Sequence, residues 1–226
     1  LRFPAMVATL VAVCALAPAA ARRPAADIDD QLTGPMSGAL VIPFEKFGLT
    51  PEGLLRTHSS SGSLNGIDRP VVRTRSGLYL SRDFRFEVTV TIPANHDDIA
   101  YVGFGEGRPN QVINNEPTNC FLFRIHNLPN IRRIDAVVGV PGTGKVFHGA
   151  FEEFHHIADY PPGTAVRFRI ERRGGTVSLS LPQVPGASIS FFLRKYPALI
   201  AASRAHLFVS NTSEGTVFSD FVVRAP

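Results

Sequence analysis

Apolar and polar side chains alternate without a break through Asp83-Phe-Arg-Phe-Glu-Val-Thr-Val-Thr-Ile92. Phe84, Phe86, Val88, Val90 and Ile92 fall on one parity, and Arg85, Glu87, Thr89 and Thr91 on the other. Successive side chains of a strand point to opposite faces, so this segment predicts one face against a core and one toward water. The same rule predicts a hairpin further along. Val166, Phe168 and Ile170 alternate with Arg167, Arg169 and Glu171, and Val177, Leu179 and Leu181 alternate with Ser178 and Ser180. Between them, Arg172-Arg-Gly-Gly-Thr176 brings the glycines that tight turns use for positive φ. Further strands are predicted over residues 38–44, 99–104, 119–127, 134–140, 189–193, 206–210 and 217–224. Residues 105–118 read as a long polar loop, and residues 54–75 as short strands and turns. Residues 146–160 stay open between helix and strand. There Phe147, Phe151, Phe154 and Ile157 have helical spacing, while a glycine precedes and Pro-Pro-Gly follows. Many short strands parted by turns predict an all-β chain, a two-sheet antiparallel β-sandwich.

With 226 residues and 44% hydrophobic content, the chain is long enough for one sandwich with a sizeable core. The formal charge is +4, and only Lys46, Lys145 and Lys195 are lysines among the 23 basic residues. No basic run concentrates that charge, and no nucleic-acid-binding motif is present, so nucleic acid is not an expected partner. At the start, Arg2, an apolar stretch over residues 7–16 and the small residues Ala17-Pro-Ala-Ala-Ala21 form the pattern of a secretory signal. The apolar stretch is shorter than the roughly 20 residues a membrane-spanning helix needs. Residues 1–21 are therefore expected to be a signal peptide, 22–37 a linker and 38–226 the sandwich domain. The mature protein is expected to be secreted, extracellular or periplasmic, with no stable membrane span. Cys120 would then be the only cysteine, which rules out an internal disulfide. It leads into Phe121-Leu-Phe and reads as a buried, inert thiol.

Three segments carry a family resemblance: Phe84-Arg-Phe-Glu-Val-Thr-Val, the hairpin from Val166 to Leu181, and the closing Gly215-Thr-Val-Phe-Ser-Asp-Phe-Val-Val-Arg. Together they resemble the concanavalin A-like lectin/glucanase sandwich, the jelly roll of lectins, laminin-G-like domains and several glycosidases. The resemblance covers most of residues 38–226 and implies that the last strand pairs beside the first. It implies fold more than function. Glucanases of this fold carry three carboxylates on one strand face as Glu-x-Asp-x-x-Glu, so that a nucleophile and an acid flank the glycosidic bond. No Glu of this chain begins such a run.

Other chemistry is sparse. Gly139-Val-Pro-Gly-Thr-Gly-Lys145 approaches a phosphate-binding loop, but Val146 stands where a Ser or Thr would hold magnesium. His148, Glu152, Glu153, His155, His156 and Asp159 form the densest titratable cluster; on a helix, Glu152 with His155 or Glu153 with His156 would share a face. Asp27-Ile-Asp-Asp30 and Asn95-His-Asp-Asp98 offer hard oxygen ligands to calcium without the full loop spacing, and read as solvated turns. No cofactor is otherwise called for. Asn211-Thr-Ser213 is a glycosylation acceptor pattern in a eukaryotic host. Arg85, Arg124, Arg167 and Arg169 lie on polar strand faces and are expected either to form a basic surface for an acidic glycan or simply to be solvated. Sugar binding asks for aromatic platforms together with amides and charged groups that bond hydroxyls. Trp is absent, and the best constellation is Tyr101, Asn110, Asn114, Asn115, Glu116, Asn119, Arg124 and His126. The expectation is a non-catalytic recognition module for carbohydrate or a cell-surface glycan. A hydrolase or lyase with acid and base on different strands is the alternative, and a structural envelope protein the third.

Overall fold

The computed structural model describes residues 27–36, 38–57, 70–110, 116–139 and 151–226. The expected signal segment, the phosphate-loop-like stretch, Asn114 and Asn115 lie outside these residues. Fifteen strands are present among those described: β1 (Ile28–Asp30), β2 (Leu40–Val41), β3 (Phe47–Thr50), β4 (Gly53–Arg56), β5 (Val71–Thr74), β6 (Phe84–Thr91), β7 (Asp98–Asn110), β8 (Glu116–Leu128), β9 (Ile131–Gly139), β10 (Phe151–Asp159), β11 (Val166–Arg173), β12 (Thr176–Ser180), β13 (Ser188–Phe192), β14 (His206–Asn211) and β15 (Val217–Arg224). The only α-helix among the described residues is one turn, α1 (Pro197–Ile200). No helix among the described residues is long and apolar enough to cross a membrane.

The strands form two antiparallel sheets. One runs β13-β12-β11-β6-β15-β4-β3, with β1 pairing beside β15; the other runs β10-β9-β8-β7-β14-β5-β2. The alternating segment of residues 83–92 is the centre of the first sheet. As β6, its side chains alternate buried and half-buried along the whole strand, between β11 and β15. The predicted hairpin is β11–β12, turned by Gly174, at φ +54°, and Gly175. The last strand pairs with the first through Ile28↔Val223 and Asp30↔Phe221. The inward faces of the two sheets interlock through aromatic edges, with ring centroids 4.9 Å apart for Phe84 and Phe104 and 5.0 Å for Phe123 and Phe168.

Three expectations are corrected and one open reading is settled. Residues 28–30, expected within a linker, are a strand whose Ile28 joins the core together with Leu32. Residues 105–118 are largely the arms of a long hairpin: β7 runs to Asn110 and β8 starts at Glu116, with a register shift between Gly105 and Arg108. Residues 151–159 form strand β10, so the helical sharing of Glu153 with His156 does not arise. The Asn211 side chain has no exposed surface and donates to Asp98 Oδ2 at 2.8 Å, which leaves it unavailable to a glycan.

Candidate functional site

The seven-stranded sheet has an inner face that joins the core and an outer face that gathers most of the chain's chemistry. Along β8, Phe121, Phe123 and Ile125 point inward, which sends Cys120, Leu122, Arg124 and His126 outward. Pairing in register then lays out rows across the outer face. One row runs Ser210 (β14), Tyr101 (β7), Arg124 (β8), Asp135 (β9) and His156 (β10). The next runs Phe208, Gly103, Leu122, Val137 and Phe154 in the same strand order. His126 pairs with Arg133 one row to the other side.

The centre of this face is apolar. Tyr101, Cys120, Leu122, Val137 and Phe208 form a second buried cluster, separate from the core between the sheets. The Phe208 ring lies over Gly103, where an added Cβ would collide with it. Burial pushes the Cys120 thiol far up, so it stays protonated and packs as a small hydrophobe, as its sequence neighbours implied.

The β8–β10 end is ionic. Asp135 has no exposed surface; Arg133 Nε donates to its Oδ2 at 2.8 Å. His126 Nε2 lies 3.8 Å from the same oxygen, and His156 Nδ1 lies 3.5 Å from Oδ1. Desolvation raises the Asp135 carboxyl above its ordinary value, with the Arg133 guanidinium and His156 pulling the other way. Arg133 also lies over the Phe154 ring, 5.1 Å from its centroid. Arg124 is half-buried, His126 is buried and the His156 side chain is 54% exposed. At the opposite end of the face, a cavity of about 370 Å³ is lined by Ile42, Val71, Arg73, Glu106, His206 and Phe208, among others. Here His206 is held below its usual pKa, chiefly by burial.

The sequence-predicted residues divide accordingly. Tyr101, Arg124 and His126 do share one face, and Tyr101 sits directly across from Arg124. Asn119 does not join them. Its buried amide donates to Glu106 Oε2 at 2.8 Å and to the Ala198 carbonyl at 3.2 Å, which fastens β8 to β7 and α1. Glu116 opens β8, opposite Asn110 at the tip of the hairpin. Arg85, Arg167 and Arg169 lie on the outer face of the other sheet, across the sandwich from Arg124, so the four arginines form no common surface. His156 was singled out only within the titratable cluster of residues 148–159, and Asp135 and Arg133 were missed. Their only signal was an acidic residue at an outward position inside the apolar run from Ile134 to Val138. The calcium candidates are spent on structure: Asp27 pairs with Arg82, Asp29 with Arg224, and Asp98 is enclosed by donors. No group of three potential metal ligands occurs among the described residues.

No protein-family model matches the chain, and no curated protein sequence matches it. Solved structures do. A Crh5 transglycosylase in complex with NAG superposes with a TM-score of 0.58 at 10% identity, over 89% of this chain and 85% of that one. An alginate lyase from Klebsiella pneumoniae gives 0.52 at 12% identity, over 80% and 84%. The carbohydrate-binding module CBM66 from Bacillus subtilis gives 0.47 at 13% identity, over 83% and 96%. Identities this low speak for the fold alone. The chain has a jelly-roll β-sandwich fold, as the resemblance implied.

Proposed function

We propose that the protein recognises carbohydrate on the outer face of its seven-stranded sheet, at the ionic end built by Arg124, His126, Arg133, Asp135 and His156. The row from Tyr101 to His156 is the observation that carries this reading. Its accessible part runs from half-buried Arg124 to exposed His156 across three adjacent strands, about 10 Å, the reach of one or two sugar rings. Guanidinium and imidazole N–H groups donate to sugar hydroxyls or carboxylates, and Arg124, Arg133 and His156 have exposed surface for this, while Asp135, with none, holds Arg133 and His156 in place. Two guanidiniums and two imidazoles face two carboxylates on this patch, Asp135 and, 3.7 Å from His156 Nε2, Asp159, so N–H donors predominate, which favours an acidic glycan over a neutral one. Support also comes from the solved structures of the same fold, among them an alginate lyase and a transglycosylase bound to NAG. Recognition takes precedence over hydrolysis because Asp135 has no exposed surface and so cannot flank a glycosidic bond together with the exposed Asp159, as a glycosidase's carboxylate pair must. The protein is proposed to act outside the cytoplasm once residues 1–21 are removed.

A lyase is the second reading, favoured by one feature. Arg124 would neutralise a uronate carboxylate, His126 two residues away would take the adjacent proton, and Tyr101 would supply a phenol across the strand pair. The complete burial of Tyr101 and the burial of the His126 imidazole weigh against it. A glycan array run beside assays for reducing-sugar release and for unsaturated product separates the readings. Binding without product supports recognition, product supports the lyase, and silence in every assay refutes both.

A further inference from the structure

The outer face of the eight-stranded sheet holds a polar cavity of about 330 Å³, lined by Asp29, Arg85, Glu87, Arg167, Asp220 and Arg224, with Val222 on its floor. Four strands contribute, because register brings Asp29 against Val222, Val222 against Glu87, and Ser219 against Thr89 and thence Arg167. Most charges here are matched. Arg224 reaches Asp29 at 2.7 Å, Arg85 reaches Glu171 at 3.1 Å and Arg169 reaches Glu87 at 2.6 Å. Two are not. Arg167 is exposed and makes no ion pair among the described residues. Asp220 takes a hydrogen bond from Thr89 Oγ1 at 3.0 Å on Oδ2, and no described donor reaches its Oδ1.

The backbone at Asp220 is unusual as well. It sits at φ +54°, in the left-handed region, at the point where β15 slips register between Ser219 and Val222. A bulge re-aims a side chain, and this one turns a carboxylate onto the sheet face beside Thr89, whose strand partner is Arg167.

We infer that this cavity is a second ligand site, for a neutral sugar ring with adjacent hydroxyl groups. Its volume lies at the small end of ligand pockets, enough for one or two rings. Two neighbouring O–H groups donate to the Asp220 carboxylate while their oxygens accept from the Arg167 guanidinium. The half-buried Val222 offers an apolar patch to the C–H face of the ring. Three guanidiniums balance three carboxylates around the cavity, so it gains nothing from an anion, unlike the ionic end of the other sheet. The lining residues are disjoint from the face proposed above, and the inference does not rest on that reading.

The test is amide chemical-shift mapping of the full chain with the methyl glycosides of glucose, galactose and mannose, and with glucuronate as the anionic probe. At least one neutral glycoside is expected to shift the amides of Thr89, Arg167 and Asp220, with a dissociation constant on the order of millimolar. Asp220→Asn tolerates the left-handed backbone and removes an acceptor; it is expected to weaken binding about tenfold, a single lost hydrogen-bonding group. Arg167→Gln, at an exposed position where folding is not at stake, is expected to do the same. No shift at about 100 mM with every neutral glycoside overturns the inference. So does preference for glucuronate at these amides, or undiminished binding in Arg167→Gln. None of these outcomes bears on the seven-stranded face, whose amides report separately in the same spectra.

Discussion

Asp98→Ala should be among the most damaging single substitutions in this chain. Asp98 opens β7 with 1% of its surface exposed, and its carboxylate takes hydrogen bonds from six donors. Oδ1 accepts from the backbone N–H groups of Ile99 (2.7 Å), Thr212 (2.9 Å) and Ser213 (2.8 Å), and from Thr212 Oγ1 at 2.6 Å. Oδ2 accepts from Asn211 Nδ2 at 2.8 Å and from Thr216 Oγ1. These donors form the corner where the chain leaves β14 in one sheet for β15 in the other, and buried Arg56 closes it by donating to the Asn211 carbonyl. Each bond to a charged acceptor is worth about 1.5–3 kcal/mol, but the six are not additive. Removing the carboxylate strands buried donors, so the whole change is expected to cost about 3–5 kcal/mol. For a domain of this size that lowers the melting temperature by roughly 6–20 °C. Asp98→Asn keeps one oxygen for the four Oδ1 partners, and the Thr216 hydroxyl can turn to accept from the new amide, so its loss should be smaller. Guanidinium unfolding followed by circular dichroism reads both. If Asp98→Ala stays within about 1 kcal/mol of the parent, the corner is not held by this carboxylate and the reasoning fails.

Two further outcomes follow from burial. Cys120, at 1% exposure with its thiol pushed up, should resist a thiol reagent such as DTNB in the native protein and react promptly once unfolded; rapid native labelling would contradict the buried outer cluster. His206, held below the usual 6.5 by burial, binds its proton more readily in the unfolded chain. Its contribution to stability is therefore present above pH 6.5 and is lost as the pH falls from there through the lowered folded value. The melting temperature should fall between pH 7 and 5 more steeply in the parent than in His206→Gln, and equal slopes would refute the assignment.

The fold was legible wherever alternation ran unbroken. Strands β6, β11 and β12 could be read from the residues because each buries one parity against a single core and wets the other. Where a bulge interrupts the period, the residues leave β10 open between helix and strand and cut β7 short as loop, although β15 is legible despite its own bulge between Ser219 and Val222. In β10 register shifts fall between Phe151 and Glu153 and between His156 and Ala158, so a two-residue period becomes the three- and four-residue spacing of a helix. In β7 the shift between Gly105 and Arg108 broke the pattern and made a strand look like loop. The site was half legible for a related reason. Tyr101, Arg124 and His126 stood out as polar groups near a strand, but which residue faces Arg124 across β9 is fixed by register. Asp135 and His156 become its neighbours only when the sheet is assembled.

The central claim is that ligand binds across β8, β9 and β10 on the outer face of the seven-stranded sheet. The most direct measurement is amide shift mapping with the strongest acidic oligosaccharide from the glycan array. Shifts centred on Arg124, His126, Asp135 and His156 are expected, with at least tenfold weaker binding for Arg124→Ala in a protein that still folds. Shifts confined to the eight-stranded face, or an Arg124→Ala variant that binds as well as the parent, would contradict it.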